Sequence, residues 1–288
     1  MTSAEIFDDR PCVLGEGPSF DDRTGRVSWV DVGAERLLWR DLATGEAGET
    51  PFDELVSAAV PRAGGGVVLC MSAGVVLADA DGTLHPLIPF HDTVQIDLRA
   101  NDAKADPAGR LWVGTMNKKE RSATGALYRL DPADGRLVRI LDGVTVSNGL
   151  GWSVDAATMY YIDTPTRRID AFDYDLATGE ISGRRPFAEF PEDAGMPDGM
   201  CIDGGGFVWV AAWGGGMVRR YAPDGTLERT VTLPTSRVTS CTFAGPDLDL
   251  LVITTASVGD SAGQPGAGLT YSYRPGDAVG RAVDRFAG

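Results

Sequence analysis

Histidine and cysteine are scarce in this sequence, and their positions argue against several kinds of active site. The 288 residues contain only two histidines, His85 and His91, and no GxSxG motif, which argues against a Ser-His-Asp hydrolase. The four cysteines are widely separated and form no CxxC pair, so there is no zinc-knuckle motif and no sign of a disulfide framework. Buried thiols are expected at Cys12, Cys70, Cys201 and Cys241.

Basic residues are also in the minority. Lys and Arg total 26 against 41 Asp and Glu, which gives a net charge of −15 and a sequence pI near 4.5. A surface of this charge repels phosphate backbones, so we expect no nucleic-acid partner. No apolar run of 18 residues and no signal-peptide pattern occurs, and no obligate protein partner is evident. The sequence therefore predicts a soluble cytoplasmic protein without a membrane partner.

Six short segments rich in β-branched and aromatic residues recur along the chain. They are GRVSWVDV, GGVVLCMS, GRLWVGTM, ATMYYIDT, GFVWVAAW and DLLVITTA. Such runs are typical of β-strands, and a second strand and a turn often follow, as in ALYRLDPADGR. Long amphipathic helical patterns are missing, so we predict an all-β fold.

Aligning the six segments brings one position upstream of each into register. The spacings are 42, 43, 47, 50 and 42 residues, and the positions are Glu16, Ala58, Asn101, Asn148, Asp198 and Ser240. A period of about 40–50 residues with several strands per unit predicts a six-bladed β-propeller, a single domain over residues 1–288. The segment AEIFDD at residues 4–9 is the expected strand that closes the ring.

The aligned positions carry the candidate chemistry. We place them just ahead of the innermost strand of each blade, so that they converge at the mouth of a central channel. Asn148-Gly149 and Asp198-Gly199 are also common turn pairs, but Glu16 is not a favoured turn residue. Two carboxylates and amide oxygens around one point would repel each other unless a cation lay between them. We therefore predict a central metal site.

Several motifs resemble the SMP-30/gluconolactonase (regucalcin-like) family. They are LGEGPSF, RANDAKADPAGRLWVGTM, SNGLGWS, PDGMCID and VTSCTFAGPDLDLLVITTA, in order between about residues 12 and 256. The resemblance implies a six-bladed propeller with one divalent metal at the channel mouth. It also implies hydrolysis of sugar lactones.

The resemblance assigns roles to individual residues by motif. Glu16 of GEGP, Asn148 of SNG and Asp198 of PDG would bind the metal, and Asp198 would also be the catalytic base and acid. Arg99 and Asn101 of RxND would hold the substrate. The cofactor would be one divalent cation, Ca²⁺, Zn²⁺, Mn²⁺, Mg²⁺ or Fe²⁺, and the sequence does not identify which.

One departure from the family pattern affects the substrate site. Where some members carry a substrate-contacting Glu shortly after GTM, this chain has NKKE, and Lys119 is the aligned residue. Glu120 lies one position later and would take that place if the loop shifts by one residue. Lys119 and Glu120 are therefore both candidate substrate-binding residues, and the sugar preference stays open.

The sequence predicts metal-dependent hydrolysis of a small sugar lactone, such as glucono-, xylono- or arabinonolactone, to the aldonic acid. One alternative is a metal-dependent esterase or organophosphatase on the same propeller. Another is a non-catalytic propeller that binds calcium or a protein partner. Lys119 favours the alternatives, whereas the intact Arg99 and Asn101 pair counts against them.

Overall fold

The strands of this protein pack into sheets arranged around one axis. The computed structural model describes residues 4–72, 74–90 and 97–288, and His91 lies outside them. Over these residues the strands form six four-stranded antiparallel sheets. The innermost strand of each sheet contacts the innermost strands of both neighbouring sheets, which closes the sheets into a ring. The predicted six-bladed β-propeller is confirmed.

Each of blades 1 to 6 contains an innermost, a second, a third and an outermost strand. The innermost strands are β2 (Gly15–Asp21), β6 (Val56–Pro61), β10 (Leu98–Ala105), β14 (Ser147–Trp152), β18 (Met196–Ile202) and β22 (Val238–Ala244). The second strands are β3 (Arg26–Asp31), β7 (Val67–Met71), β11 (Leu111–Asn117), β15 (Thr158–Asp163), β19 (Val208–Trp213) and β23 (Leu250–Thr255). The third strands are β4 (Arg36–Asp41), β8 (Gly74–Ala78), β12 (Gly125–Asp131), β16 (Arg168–Tyr174), β20 (Met217–Tyr221) and β24 (Thr270–Tyr273). The outermost strands are β5 (Ala47–Pro51), β9 (Leu84–Pro89), β13 (Arg136–Val144), β17 (Ile181–Glu189), β21 (Leu227–Thr232) and, in blade 6, β1 (Glu5–Asp8).

Helical structure in the described ranges is limited to short 3₁₀ turns. They are Thr164–Thr166, Glu192–Ala194 and Gly259–Ser261. No helix in this part of the chain has the length and apolar character needed to cross a membrane.

The ring is closed by a strand from the N-terminal end of the chain. β1 pairs antiparallel with β24, with Glu5 opposite Ser272 and Ile6 opposite Tyr271. Blade 6 therefore combines β22, β23 and β24 with β1 as its outermost strand. The predicted closing strand at residues 4–9 is confirmed.

The strand assignment within each blade differs from the prediction by one strand. The six apolar segments form the second strands, and the aligned residues lie inside the innermost strands rather than ahead of them. A second strand is covered on both faces by neighbouring blades, so it carries a continuous apolar run. An innermost strand lines the central channel and is interrupted by polar residues and glycine, which hides its strand character in the sequence.

Tryptophan residues at equivalent positions of the second strands fill the core. Trp29, Trp112 and Trp209 are each 0% exposed. In two blades a buried aspartate at the end of the innermost strand accepts a hydrogen bond from the indole. Asp106 Oδ2 accepts from Trp112 Nε1 at 2.9 Å, and Asp203 Oδ2 accepts from Trp209 Nε1 at 3.0 Å. These aspartates tie the inner turn of the blade to its second strand.

Asp203→Ala should destabilise the protein much more than loss of an exposed turn aspartate. Besides Trp209, Asp203 binds the buried Arg220 guanidinium at 2.8 Å and two backbone amides of its turn. Leaving a buried charge without its main partner costs about 3–5 kcal/mol. Asp224→Ala, which removes one exposed turn contact to Thr226, should cost less than about 1 kcal/mol. Equilibrium urea unfolding measures both, and similar losses for the two variants would contradict this account.

Candidate active site at the channel mouth

The six aligned residues lie where the innermost strands lose regular pairing with the second strands. The register shifts fall at Glu16/Ser19, Val56/Ala58, Ala100/Ala103, Ser147/Leu150, Pro197/Met200 and Val238/Ser240. A β-bulge leaves its extra residues unpaired and re-aims their side chains. The bulges leave Asn148 and Asp198 unpaired, and Glu16 is the last paired residue before the bulge of β2.

The glycines that follow Asn148 and Asp198 serve the close packing of neighbouring blades. A Cβ on Gly149 would lie 2.6 Å from the carbonyl oxygen of Asp198, and a Cβ on Gly199 would lie 2.2 Å from Ser240 Oγ. Both glycines are inside strands, so neither pair forms a turn. The turn interpretation of these two motifs is therefore excluded, and the glycines let adjacent innermost strands approach each other.

A chain of hydrogen bonds runs across blades 3, 4 and 5 beside the channel mouth. Arg99 Nη1 donates to Asn101 Oδ1 at 2.7 Å, and Asn101 Nδ2 lies 3.3 Å from Asn148 Oδ1, to which it donates. Asn148 Nδ2 donates to Thr164 Oγ1 at 2.9 Å, and Thr164 Oγ1 donates to the carbonyl oxygen of Pro197 at 2.9 Å. The amide group of Asn148 is oriented by this chain, with its NH₂ toward Thr164.

Thr164 is a positioning residue that sequence reasoning missed. It is buried in a 3₁₀ turn directly after β15, and its hydroxyl links Asn148 to the strand that carries Asp198. Thr164 is the last letter of the segment ATMYYIDT. Nothing in that segment indicates that the hydroxyl reaches the next blade, because the contact depends on how the blades pack.

The carboxyl groups of Glu16 and Asp198 are held in surroundings that disfavour negative charge. Burial, together with the charge of Asp102, raises the pKa of Glu16 from 4.5 to about 8. Burial also raises the pKa of Asp198 well above 3.8, and the charges of Glu16, Asp102 and Glu120 add to the rise. Asp198 Oδ1 is buried and has no hydrogen-bond partner among the described residues. Such a pair favours either bound protons or a bound cation.

Asp102 is a third acidic group at this site. It directly follows Asn101 within the bulge of β10, and burial raises its pKa while the Lys104 ammonium opposes that rise. Its side chain affects the pKa of both Glu16 and Asp198. The sequence contains Asp102 inside the RAND motif, but a surface position was equally compatible with the pattern. The two-residue bulge is the feature that brings it to the channel.

The structure separates the two candidates of the NKKE segment. The Lys119 side chain is 75% exposed, and its Nζ lies 3.8 Å from Asp97 Oδ2, so it points to a surface partner. Glu120 adopts a left-handed conformation with φ of 56°. Its charge acts on both Arg99 and Asp198, counteracting the lowering of the Arg99 pKa by burial. Glu120 is exposed as well, but its charge acts on residues of the site, so it is the better placed of the two candidates.

A cavity of about 90 Å³ continues along the axis from the channel mouth. Residues from the innermost strand of every blade line it, among them Gly17, Asp102 and Ser240 at the site end. Lys104 and Cys201 lie further along the same cavity, and residues 281–284 contribute to its wall. The channel is therefore lined by both charged and thiol side chains.

Comparison with known proteins places this architecture in a family. Residues 14–257 match the family model described as the SMP-30/Gluconolactonase/LRE-like region. The chain belongs to this family. The resemblance drawn from its motifs is confirmed, whereas the roles of individual residues stay predictions.

Members of the SMP-30/gluconolactonase family resemble this chain over nearly its whole length. The pentonolactonase XacC of Haloferax volcanii is 40% identical over 281 residues, which cover 97% of this chain and 92% of XacC. Regucalcin of Danio rerio is 38% identical over 266 residues, covering 90% and 89% of the two chains. The crystal structure of regucalcin from Agrobacterium tumefaciens, described as a calcium-binding protein, has a TM-score of 0.92 at 28% identity, covering 99% of this chain and 97% of that one.

Without cations, this SMP-30/gluconolactonase family member should lose stability as the pH rises. The folded pKa of Glu16 is about 8 against an ordinary 4.5, so the folded state keeps a proton that the unfolded state releases in this interval. Stability is then greatest below the ordinary pKa and falls as the pH rises through the folded one. We expect the Tm in chelator to fall between about pH 5 and pH 8, and Glu16→Gln to reduce that fall.

Thermal unfolding at constant ionic strength checks this pH dependence. Glu46→Gln, at an exposed position, serves as the control and should keep the wild-type slope. If Glu16→Gln and Glu46→Gln showed the same slope as the wild type, the raised pKa of Glu16 would be contradicted.

Proposed function

We propose that this protein is a metal-dependent lactonase that opens a sugar lactone to its aldonic acid. The observation that carries the proposal is the pair of carboxyl groups at the channel mouth: Glu16 raises the pKa of Asp198, whose buried Oδ1 has no hydrogen-bond partner among the described residues. Arg99 and Asn101 lie beside this pair and offer donors and an acceptor for a polyhydroxylated ligand. The 40% identity to a pentonolactonase supports the reaction class. Glucono-, xylono- and arabinonolactone are the first substrates to test.

The donor set fits one divalent cation. Two carboxylates, Glu16 and Asp198, balance its charge, and the orientation of the Asn148 amide leaves Oδ1 as a third oxygen donor. Asp198 Oδ1 is the buried oxygen that has no partner in the described ranges. These ranges contain no group of three His, Cys, Asp or Glu side chains suited to an ion, so the Asn148 oxygen is an essential part of the proposed site. Oxygen donors suit Ca²⁺, Mg²⁺ and Mn²⁺, and carboxylates also bind Zn²⁺ and Fe²⁺.

Asp198 is the proposed base and acid of the reaction. When bound, the cation would polarise the lactone carbonyl and stabilise the negative charge that develops on its oxygen. The Asp198 carboxylate takes a proton from the attacking water and later gives it to the ring oxygen that leaves. Opening the ring produces a carboxylic acid that is ionised at neutral pH, so each turnover releases one proton to the solution.

Arg99 and Asn101 are the proposed substrate-positioning pair. Arg99 Nη1 donates to the Ala100 carbonyl oxygen at 3.0 Å as well as to Asn101, which fixes the plane of the guanidinium. A fixed guanidinium presents its remaining N–H groups in a defined direction toward sugar hydroxyls. Glu120 would accept hydrogen bonds from other hydroxyls of the same sugar, in the role that the family pattern gives to a neighbouring position.

A non-catalytic calcium-binding function is the second candidate. It is supported by the similarity to the Agrobacterium regucalcin, which is described as a calcium-binding protein. The same three oxygen donors would hold the ion in that case. The two candidate functions differ in turnover. Both predict that the protein binds a cation, but only the lactonase function predicts proton release from a lactone.

The deciding experiment is proton release from a panel of aldonolactones. Metal-stripped protein is assayed alone and after addition of each divalent ion in turn, beside Asp198→Asn and the control Asp224→Asn. We expect release with at least one ion, a loss of about 10²–10⁴-fold in kcat for Asp198→Asn, and wild-type rates for Asp224→Asn. If no combination of lactone and ion gave release above spontaneous hydrolysis, the lactonase would be excluded.

The same preparations separate the remaining alternatives. Cation binding by calorimetry without turnover of any lactone would favour the calcium-binding function. Turnover of aryl esters or phosphotriesters but not of lactones would instead favour an esterase or organophosphatase on this propeller.

Glu120→Gln should impair substrate binding, whereas Lys119→Gln should not. Glu120 lies close enough to act on Arg99 and Asp198, but the Lys119 ammonium is directed at Asp97. A hydrogen bond from a substrate hydroxyl to a carboxylate is worth about 1.5–3 kcal/mol, so we expect KM to rise by about 10–100-fold for Glu120→Gln. Steady-state kinetics on the best lactone measure both variants. The reverse order of effects would assign this role to Lys119.

A further inference from the structure

Two thiols from neighbouring blades meet beside the axial cavity. Cys201 lies in β18 of blade 5 and Cys241 in β22 of blade 6, and their Sγ atoms are 3.7 Å apart. Both are free thiols, and neither has a part in the proposed lactonase chemistry. The sulfurs of a disulfide are about 2.05 Å apart, so these atoms need to approach by roughly 1.7 Å to bond.

The two thiols differ in their surroundings. Cys201 lines the cavity, whereas Cys241 is 1% exposed and its Sγ lies 3.6 Å from the carbonyl oxygen of Trp209. Lys104 lines the cavity as well, and its Nζ donates to the carbonyl oxygen of Met200, the residue before Cys201. Burial raises the pKa of Cys201, with Cys241 adding to the rise, and the Lys104 ammonium opposes it. Cys201 is thus the thiol that faces the cavity and a cation, and Cys241 is its partner behind it.

We propose that Cys201 and Cys241 form a reversible disulfide with hydrogen peroxide as the oxidant, joining blades 5 and 6 at their innermost strands. The Cys201 sulfur attacks one peroxide oxygen and the O–O bond breaks, while the thiol proton passes to the departing hydroxide to give water. The Cys241 sulfur then attacks the sulfur of the resulting sulfenic acid. The S–S bond forms, the S–O bond breaks, and a second water leaves. Two thiols lose two electrons, and one peroxide is reduced to two waters.

The bond would act as a clamp between two strands that line the channel. It closes a loop between residues that are 40 positions apart and fixes β18, which carries Asp198, to β22. Constraining a loop of this length in the unfolded state stabilises the folded one. The inference is independent of the proposed lactonase, since it needs neither a cation nor a substrate.

Peptide mapping of the wild-type protein tests the proposal. Protein treated with peroxide is compared with untreated protein by thiol titration in denaturant and by mass spectrometry of non-reduced digests. We expect reactive thiols to fall from four to two, one cross-linked peptide pair joining Cys201 to Cys241, and recovery of all four thiols with dithiothreitol. The oxidised form should unfold at a Tm higher by roughly 5 °C than the reduced form.

Two variants provide the controls. In Cys70→Ala the Cys201–Cys241 link should still form, because Cys70 lies on the second strand of blade 2. In Cys241→Ser peroxide should produce no intramolecular link and no rise in Tm. Four thiols remaining in treated wild type, a link between other cysteines, or thiol loss that dithiothreitol does not reverse would each overturn the proposal. The wild-type map decides the matter even if Cys241→Ser folds poorly.

Discussion

The burial of acidic side chains beside one another at the propeller axis, which disfavours their negative charge, is the constraint on which the rest of this structure depends. Glu16 and Asp198 come from blades 1 and 5, and Asp102 of blade 3 lies close enough to disfavour the charge of both. Like charges in low-dielectric surroundings separate unless the backbone holds them in place. In this protein the backbone is a closed ring of sheets whose second strands are buried, so the acids cannot move apart without opening the fold. The packing of the core therefore holds these acidic side chains close together, in a site that favours a bound cation or a bound proton.

The second and innermost strands of each blade have different roles. The second strands supply the apolar contacts and the buried indoles, and their regular pairing carries stability. The innermost strands lose regular pairing at their bulges. Asn148 and Asp198 lie in these bulges without a strand partner, so their side chains can take part in the candidate site. Glycine at Gly149 and Gly199 then allows the irregular strands to pack against each other. Irregularity is concentrated where function is expected, and it is stabilised by the regular layer directly outside it.

Sequence reasoning succeeded wherever the information was periodic. The 40–50 residue repeat gave the blade count, the register of Glu16, Asn148 and Asp198, and the closing strand, because each of these follows from chain order. It assigned the apolar segments to the innermost strands, whereas they form the second strands. A strand buried on both faces has a more apolar sequence than a strand that lines a channel, so it is easier to recognise. Contacts between blades could not be predicted from the sequence either. The hydroxyl of Thr164 donates to the carbonyl oxygen of Pro197 in the next blade, and this contact depends on how the blades pack. The different placement of Lys119 and Glu120 was also out of reach, because it involves a left-handed backbone conformation at Glu120 that Glu rarely adopts; the substrate-binding role of either residue stays a prediction.

Closure of blade 6 by β1 also has a consequence for how the molecule is made. During synthesis, the strand that completes the ring is made before the other strands of the six blades, and its partner β24 is made after them. Until residues 270–273 are available, blade 6 lacks its third strand and β1 has no neighbour, so the growing chain exposes sheet edges that can pair wrongly. A fragment that already contains Glu16 and Asp198 still lacks the closed ring that holds them together. Acquisition of the site is therefore a late event of folding, coupled to the last long-range strand pairing rather than to any single blade.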